Sequence, residues 1–247
     1  MRLGDERMNA YFTAIELLMK KVIREEQQSV EKVATEITRR LSLGGIVQLF
    51  GSGHSYLIAE ESFFRAGGLV PVQPIIVESL MLHNGAAQAS LNEKDPELTQ
   101  TFANQLDIRP EDTVIVISTS GRNTVPIDVA YIAKECGAYV VSLQSLQYNA
   151  SEHPSKHKSG NRLETVVEAI LNTHVPVGDG LLTLDGLPYA PASSVIGNTL
   201  IHATFSRVIE MMIENGVKPP IFKSGNLDGS TAHNELMIAA YGERITF

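Results

Sequence analysis

The stretch VIVISTSGRNT, residues 114–124, runs an apolar β-forming segment straight into a loop of hydroxyls and amides with one glycine, Gly121. A connecting turn needs one or two such residues, so a loop this rich in them is suited to hold a ligand. The stretch GSGHS, residues 51–55, stands in the same setting after the apolar run IVQLF. Glycine lets the backbone turn sharply and come close to a ligand. Hydroxyls and free amide N–H groups at the start of a helix form a ready anion site. Gly51, Ser52, Gly53 and Ser55 in the first loop are therefore candidate ligand-binding residues, with Ser118, Thr119, Ser120, Asn123 and Thr124 in the second. Two such loops from neighbouring strands are placed to grip one phosphate. Arg122 supplies the only full positive charge within them.

Other loops that bind phosphates have stricter requirements. A dinucleotide fingerprint needs a third glycine where this chain has Tyr56, and a Walker loop needs Gly-Lys before Ser or Thr, which is absent. The remaining alternative is that both segments are plain β–α turns. Two hydroxyl-rich loops of the same kind weigh against it.

Candidate proton-transfer groups lie further along. On a helical wheel Glu61 falls between Leu57 and Phe64, inside an apolar stripe, while Glu60 points about 100° away toward solvent. A carboxylate in apolar surroundings has its pKa raised by desolvation, which suits a general base. A buried pair with an arginine is the competing role. The late segment ASSVIGNTLIHATFSRVIEMMIENG is apolar almost all round, yet Asn198, Thr199, His202, Ser206 and Glu210 share one narrow face. His202 titrates near neutrality and is the candidate proton shuttle, with a satisfied interface histidine as the alternative. His83, beside an Asn-Gly turn, is a third catalytic candidate. His153 and His157 have the spacing of a helical metal pair, but Pro154 and the surrounding Ser, Lys and Gly disfavour a helix, so no metal ligand is assigned. The single cysteine, Cys136, precedes a helix-ending Gly137 and reads as a packed residue.

The elements that must position these groups follow from periodicity. Residues 8–43 read as two helices, forming an N-terminal hairpin, with apolar residues at helical spacing from Tyr11 to Leu41 and a stop at Gly44-Gly45. Strands are expected at IVQLF, VPVQPIIVE, DTVIVIS and AYVVSL. Helices are expected at HSYLIAEESFFRAGG, DPELTQTFANQLDI and VPIDVAYIAKECG. QYNASEHPSKHKSGNR reads as a long loop, LETVVEAIL as a helical turn or strand, and the tail from Lys218 as irregular. Strands alternating with helices indicate an α/β domain with a parallel sheet, and the unbroken apolar strands indicate helices on both faces. Ligands then sit at the carboxyl ends of strands, where both loops leave.

The 247 residues are 43% hydrophobic and 19% charged, enough for a sizeable core. A single domain is expected, with helices over 1–43, an αβα core over 44–216 and a tail over 217–247. The net charge of −8 counts against nucleic-acid and anionic-membrane partners. The charged N-terminus lacks a signal-peptide core, no apolar run spans a bilayer, and one cysteine permits no internal disulfide, so a cytoplasmic location is expected.

IVQLFGSGHS followed by DTVIVISTSGRNTVPIDVAYIAKECGA resembles the SIS (sugar isomerase) domain, whose second loop reads Ser-x-Ser-Gly at a helix start. The resemblance covers roughly residues 43–215 and extends to a subgroup of bacterial proteins described as phosphoheptose isomerases or sugar-isomerase-domain proteins. It implies a three-layer αβα sandwich around a five-stranded parallel sheet, and a homodimer or homotetramer with sites near subunit boundaries. It also implies a sugar phosphate as partner, gripped by Ser55, Ser118, Ser120 and one of Asn123 or Thr124. Phosphoheptose isomerases carry a metal-binding histidine one turn before the glutamate of their AEE motif. Here Leu57 holds that place and the segment from Ser55 to Glu61 is a turn shorter. The departure counts against zinc and against the phosphoheptose reaction itself, and no cofactor is expected. Aldose–ketose isomerisation through an enediolate is the expected activity. The alternative is a non-catalytic sugar-phosphate sensor, against which stands the lack of any helix-turn-helix or other output segment.

Overall fold

The computed structural model describes residues 3–148 and 152–247, with side chains from residue 10 onward. Five short strands form one parallel sheet: β1 (Val47–Gly51), β2 (Val72–Pro74), β3 (Thr113–Ile117), β4 (Tyr139–Gln144) and β5 (Ala169–Asn172). Their spatial order is β2-β1-β3-β4-β5. The chain leaves β1 toward β2, then returns to β3 on the other side, so the switch point lies between β1 and β3. Every residue of β1, β3 and β4 is buried, as a sheet covered on both faces requires.

Alternation along β3 defines the layers. Ile115 and Ile117 pack with α1 (Leu3–Leu41), α2 (His54–Glu61) and α5 (Ser193–Glu214) through Ile37, Ile58 and Ile196. Val114 and Val116 face α4 (Thr124–Glu135) through Ile127 and Val129. The three-layer αβα arrangement and the five-stranded parallel sheet are as expected. A short helix α3 (Ala86–Asn92) lies between β2 and β3.

Four expectations need correction. The N-terminal hairpin is one helix: α1 runs unbroken for 39 residues. The polar stretch REEQQS interrupts the apolar stripe but contains neither Gly nor Pro to break the helix. The interruption is a buried partner instead. Glu26 accepts from the Asn172 backbone N–H at 3.1 Å and meets His174 Nε2 at 2.8 Å, which ties α1 to the end of β5. The helix expected over DPELTQTFANQLDI is two separate 3-10 turns, at Leu98–Thr101 and Ala103–Gln105, in a segment whose Thr and Phe are poor helix formers. The helix expected over HSYLIAEESFFRAGG stops at Glu61, because Phe64 turns to φ +43° and packs edge-on against Phe222. The tail is not wholly irregular, since it carries α6 (Ser230–Tyr241). A two-stranded hairpin, β6 (Gly180–Leu184) and β7 (Leu187–Pro191), also leads into α5. Asp185 at φ +50° and Gly186 at φ +82° close it with the Asp-Gly turn that matches strand twist. The long polar loop is present on both sides of residues 149–151, which lie outside the described residues.

Candidate active site

The two hydroxyl-rich loops start side by side. Gly51 and Ile117 are partners in the parallel register of β1 and β3, so each loop leaves the carboxyl edge of the sheet beside the other, at the switch point. Gly51 is required where it stands: a Cβ there would lie 2.5 Å from the backbone of Ser55. Gly121 is required twice over, by its φ of +61° and by Gln144 Oε1 at 2.6 Å from the position of a Cβ.

The second loop shows a consistent polarity. The carbonyl of Ser120 accepts from Arg162 Nη2 at 2.6 Å, that of Gly121 from the Leu163 N–H at 2.9 Å, and that of Arg122 from the Lys156 N–H at 2.8 Å. Three successive carbonyls thus face the outer segment 153–163. Across a trans peptide the N–H points opposite to the preceding C=O. The N–H groups of Arg122 and Asn123 are therefore turned the other way, and they have no acceptor among the described residues. Successive inward amides around a left-handed glycine make an anion-binding concavity. The Arg122 side chain does not join it, because its Nε donates outward to the carbonyl of Pro154 at 3.1 Å.

The hydroxyls divide by role. Ser118 is buried, Ser55, Thr119 and Ser120 are half-buried, and the hydroxyls of Ser55, Ser118 and Ser120 make no hydrogen bond within the described residues. The Thr124 hydroxyl is occupied, shared between the carbonyls of Lys94 and Lys156 at 3.3 and 3.4 Å. Ser52 and Asn123, one from each loop, both lie close to the carboxyl of Glu93, just beyond α3, and favour its ionised form. Burial raises the Glu93 pKa above the usual carboxylate value, and the neighbouring Asn123 and Ser52 side chains oppose the rise. A cavity of about 280 Å³, lined by Ser52, Gly53, Leu82 and Glu93 among others, borders this junction.

Glu61 and His202 meet. His202 Nε2 lies 2.6 Å from Glu61 Oε2. Gly197 lets α5 approach α2 closely enough for this, since a Cβ there would lie 2.7 Å from Ile58 Cδ1. Glu61 is not enclosed by an apolar stripe as expected. It is about a third exposed, and Arg65, one turn on, pairs with its other oxygen and lies 3.3 Å from His202 Nε2. Burial and the Arg65 guanidinium hold the His202 pKa below its ordinary 6.5, so the imidazole is neutral at pH 7 and its Nε2–H donates to Glu61.

The sequence profile of the SIS domain matches residues 10–145. The chain belongs to the SIS-domain family. Within it, the UPF0309 protein of Geobacillus kaustophilus (strain HTA426) is 48% identical over 96% of this chain and 95% of that one. The Lysinibacillus sphaericus "UPF0309 protein in nagA 3'region" is 49% identical over 97% and 98%. Among solved structures, the phosphoheptose isomerase GmhA of Neisseria gonorrhoeae aligns with a TM-score of 0.56 at 17% identity, covering 83% of this chain and 98% of that one. The Vibrio vulnificus NanR protein complexed with ManNAc-6P aligns with a TM-score of 0.54 at 16% identity, over 96% and 71%. These two likenesses establish the SIS fold.

The residues beside Glu61 in this SIS domain do not fit a metal. Leu57 offers no donor one turn before Glu61, and no group of three or more His, Cys, Asp or Glu side chains among the described residues is arranged to hold a metal ion. His157 is buried with both ring nitrogens occupied, by Asp128 Oδ1 at 2.9 Å and Ser159 Oγ at 2.7 Å, while the His153 ring lies against Tyr148. His83 is exposed and lies 3.5 Å from Glu78; no hydrogen bond joins it to Glu61 or His202.

Three residues that sequence reasoning did not single out contact or adjoin the candidate residues. Arg65 carried a usable signal, the i,i+4 spacing of a Glu–Arg helix pair. Glu93 carried none, because only the tertiary fold brings it to Ser52 and Asn123. Arg162 lay in a polar stretch that read as loop.

Proposed function

We propose that this SIS domain binds a sugar phosphate and interconverts its aldose and ketose forms. The phosphate sits on the free N–H groups of Arg122 and Asn123 and on the hydroxyls of Ser55, Ser118 and Ser120, with Thr119 and Gly51–Gly53 shaping the cradle and Thr124 bracing it. Ser55 and Glu61 share α2, six residues apart, which is about 9 Å along the axis. An extended sugar phosphate covers that span. The Glu61 carboxylate removes the proton from the carbon beside the carbonyl, giving an enediolate, and returns it to the former carbonyl carbon. Neutral His202 donates its Nε2 proton to the carbonyl oxygen as negative charge develops there, then takes the proton of the neighbouring hydroxyl. Arg65 neutralises the charge of the intermediate. The observation that carries this reading is the 2.6 Å contact between Glu61 and a histidine held neutral.

A second reading, a sensor that binds the sugar phosphate without turning it over, is favoured by Arg65, which already occupies one oxygen of Glu61. A thermal-shift screen of sugar phosphates, followed by NMR of each hit in deuterium oxide, separates the two. Deuterium appearing at the carbon beside the carbonyl supports the isomerase. Binding without exchange for every hit supports the sensor, and no binding by any sugar phosphate removes both.

A further inference from the structure

Arg162 is nearly absent from the surface, at 3% exposure, in a segment that is largely polar and solvated apart from His157 and Leu163. A buried guanidinium demands acceptors for its donors. Arg162 has four: Glu164 Oε1 at 2.5 Å from Nε, the His153 carbonyl from Nη1, and the carbonyls of Ser120 at 2.6 Å and Tyr148 at 2.5 Å from Nη2. Three of the four are backbone oxygens, and they come from both sides of the polar loop and from the centre of the Ser118–Thr124 loop. Glu164 in turn accepts from Gln144 Nε2 at 3.1 Å, and both side chains press on Gly121 where a Cβ would be. The next two carbonyls of the anion loop are held by Leu163 and Lys156, which flank Arg162 in the same outer segment.

We propose that Arg162 is the positioning residue of the anion loop. It turns the Ser120 carbonyl outward, registers segment 153–163 against the loop, and so keeps the N–H groups of Arg122 and Asn123 aimed at the ligand. It does this from behind the loop and contributes no contact to the ligand. The inference rests on the phosphate-binding reading for its functional consequence, but the loop geometry it assigns exists without ligand. Lysine cannot replace it, because an ammonium lacks the rigid fork needed to satisfy acceptors on several sides.

The test compares Arg162→Gln and Arg162→Lys with the parent protein, using amide NMR and inorganic phosphate as probe. In the ligand-free variants, the amides of Gly121 and Leu163 exchange with solvent about tenfold faster, as loss of charged hydrogen bonds implies, while those of Ile115 and Val116 in β3 stay at the parent rate. A merely stabilising role would accelerate all of them together. Phosphate titration then needs about tenfold higher concentration in both variants to shift Arg122 and Asn123. Parent-like exchange at Gly121 and Leu163 with parent-like phosphate affinity overturns the proposal. If neither variant folds, Glu164→Gln removes the carboxylate that holds Arg162 Nε while keeping a side chain of the same size, and the same two readouts decide. If the parent binds no phosphate while Arg162→Gln still loosens Gly121 and Leu163 selectively, the functional reading fails and the positioning role stands.

Discussion

Glu61 Oε2 and His202 Nε2 are 2.6 Å apart although 141 residues separate them in the chain. The contact exists because Gly197 admits Ile58 and so seats α5 against α2. If Glu61 is the base, Glu61→Gln keeps the shape and the hydrogen bond from His202 but cannot accept the proton. Sugar-phosphate affinity should stay within a few-fold, because the proposed phosphate site lies at the other end of α2. Deuterium incorporation beside the carbonyl should fall about a hundredfold or more. Exchange at the parent rate in this variant would place the base elsewhere, with the exposed His83 next to test.

The pH profile should follow His202. Burial and Arg65 lower its pKa in the folded protein below 6.5. The neutral imidazole therefore persists below pH 6.5, and activity is lost only as pH falls through the folded value. Stability has the same sign: the unfolded chain takes up the proton first, so this contribution is present above 6.5 and lost as pH falls. Arg65→Gln removes the neighbouring charge and should move the acid limb of the rate profile to higher pH. An acid limb that stays in place would separate the limb from His202.

Much of this was legible in the sequence where one local rule acts. Unbroken apolar strands gave the doubly covered sheet, and Gly51 and Gly121 marked the two loops. What was hidden depends on long-range partners. Glu26 looked like a break in an amphipathic helix because His174, its partner, is 148 residues away. Glu61 looked buried on a helical wheel, but α2 ends there and Arg65 folds back over it. Glu93 and Arg162 have no neighbours in sequence that betray their role. The Asp185-Gly186 turn, by contrast, carried a local hairpin signal in full view.

Ser118→Ala with Ser120→Ala should weaken sugar-phosphate binding and leave the fold intact, since neither hydroxyl has another partner among the described residues. Each neutral hydrogen bond lost costs about 0.5–1.5 kcal/mol, and more to an anion. The pair should therefore raise the Kd about tenfold or more by calorimetry, with the thermal midpoint changed little. Unchanged affinity would remove the loop from the phosphate site.

Phe12, Leu17 and Ile23 stand 62%, 62% and 66% exposed along α1. Phe12 and Ile23, eleven residues apart, share one face of α1, and a contiguous exposed apolar face marks an interface. A homodimer or homotetramer is expected by light scattering at micromolar concentration, and Leu17→Glu with Ile23→Glu should yield a monomer that keeps its helical circular dichroism. A monomeric parent protein would refute the expectation.

Glu93 gives the most specific test of how the two loops meet. Its carboxyl lies close to Ser52 and Asn123, one from each loop, and both favour its ionised form. As an acceptor it draws the loops together, yet when ionised it places a negative charge beside a site for an anion. Burial raises its pKa, so protonation begins at higher pH than for a solvated glutamate. Glu93→Gln keeps an acceptor oxygen for Ser52 or Asn123 and removes the charge. Inorganic phosphate should then bind the variant a few-fold more tightly at pH 8, as removal of a nearby like charge implies. The ratio of the two affinities should shrink toward one as pH is lowered, because the parent carboxyl protonates and the variant has nothing to titrate there. Taking the ratio at each pH cancels the titration of phosphate itself. Glu93→Ala, which removes the acceptor as well, should lose affinity at every pH because the loops separate. A ratio that is flat with pH, or Gln and Ala variants that behave alike, would show that Glu93 neither charges the site nor joins its loops.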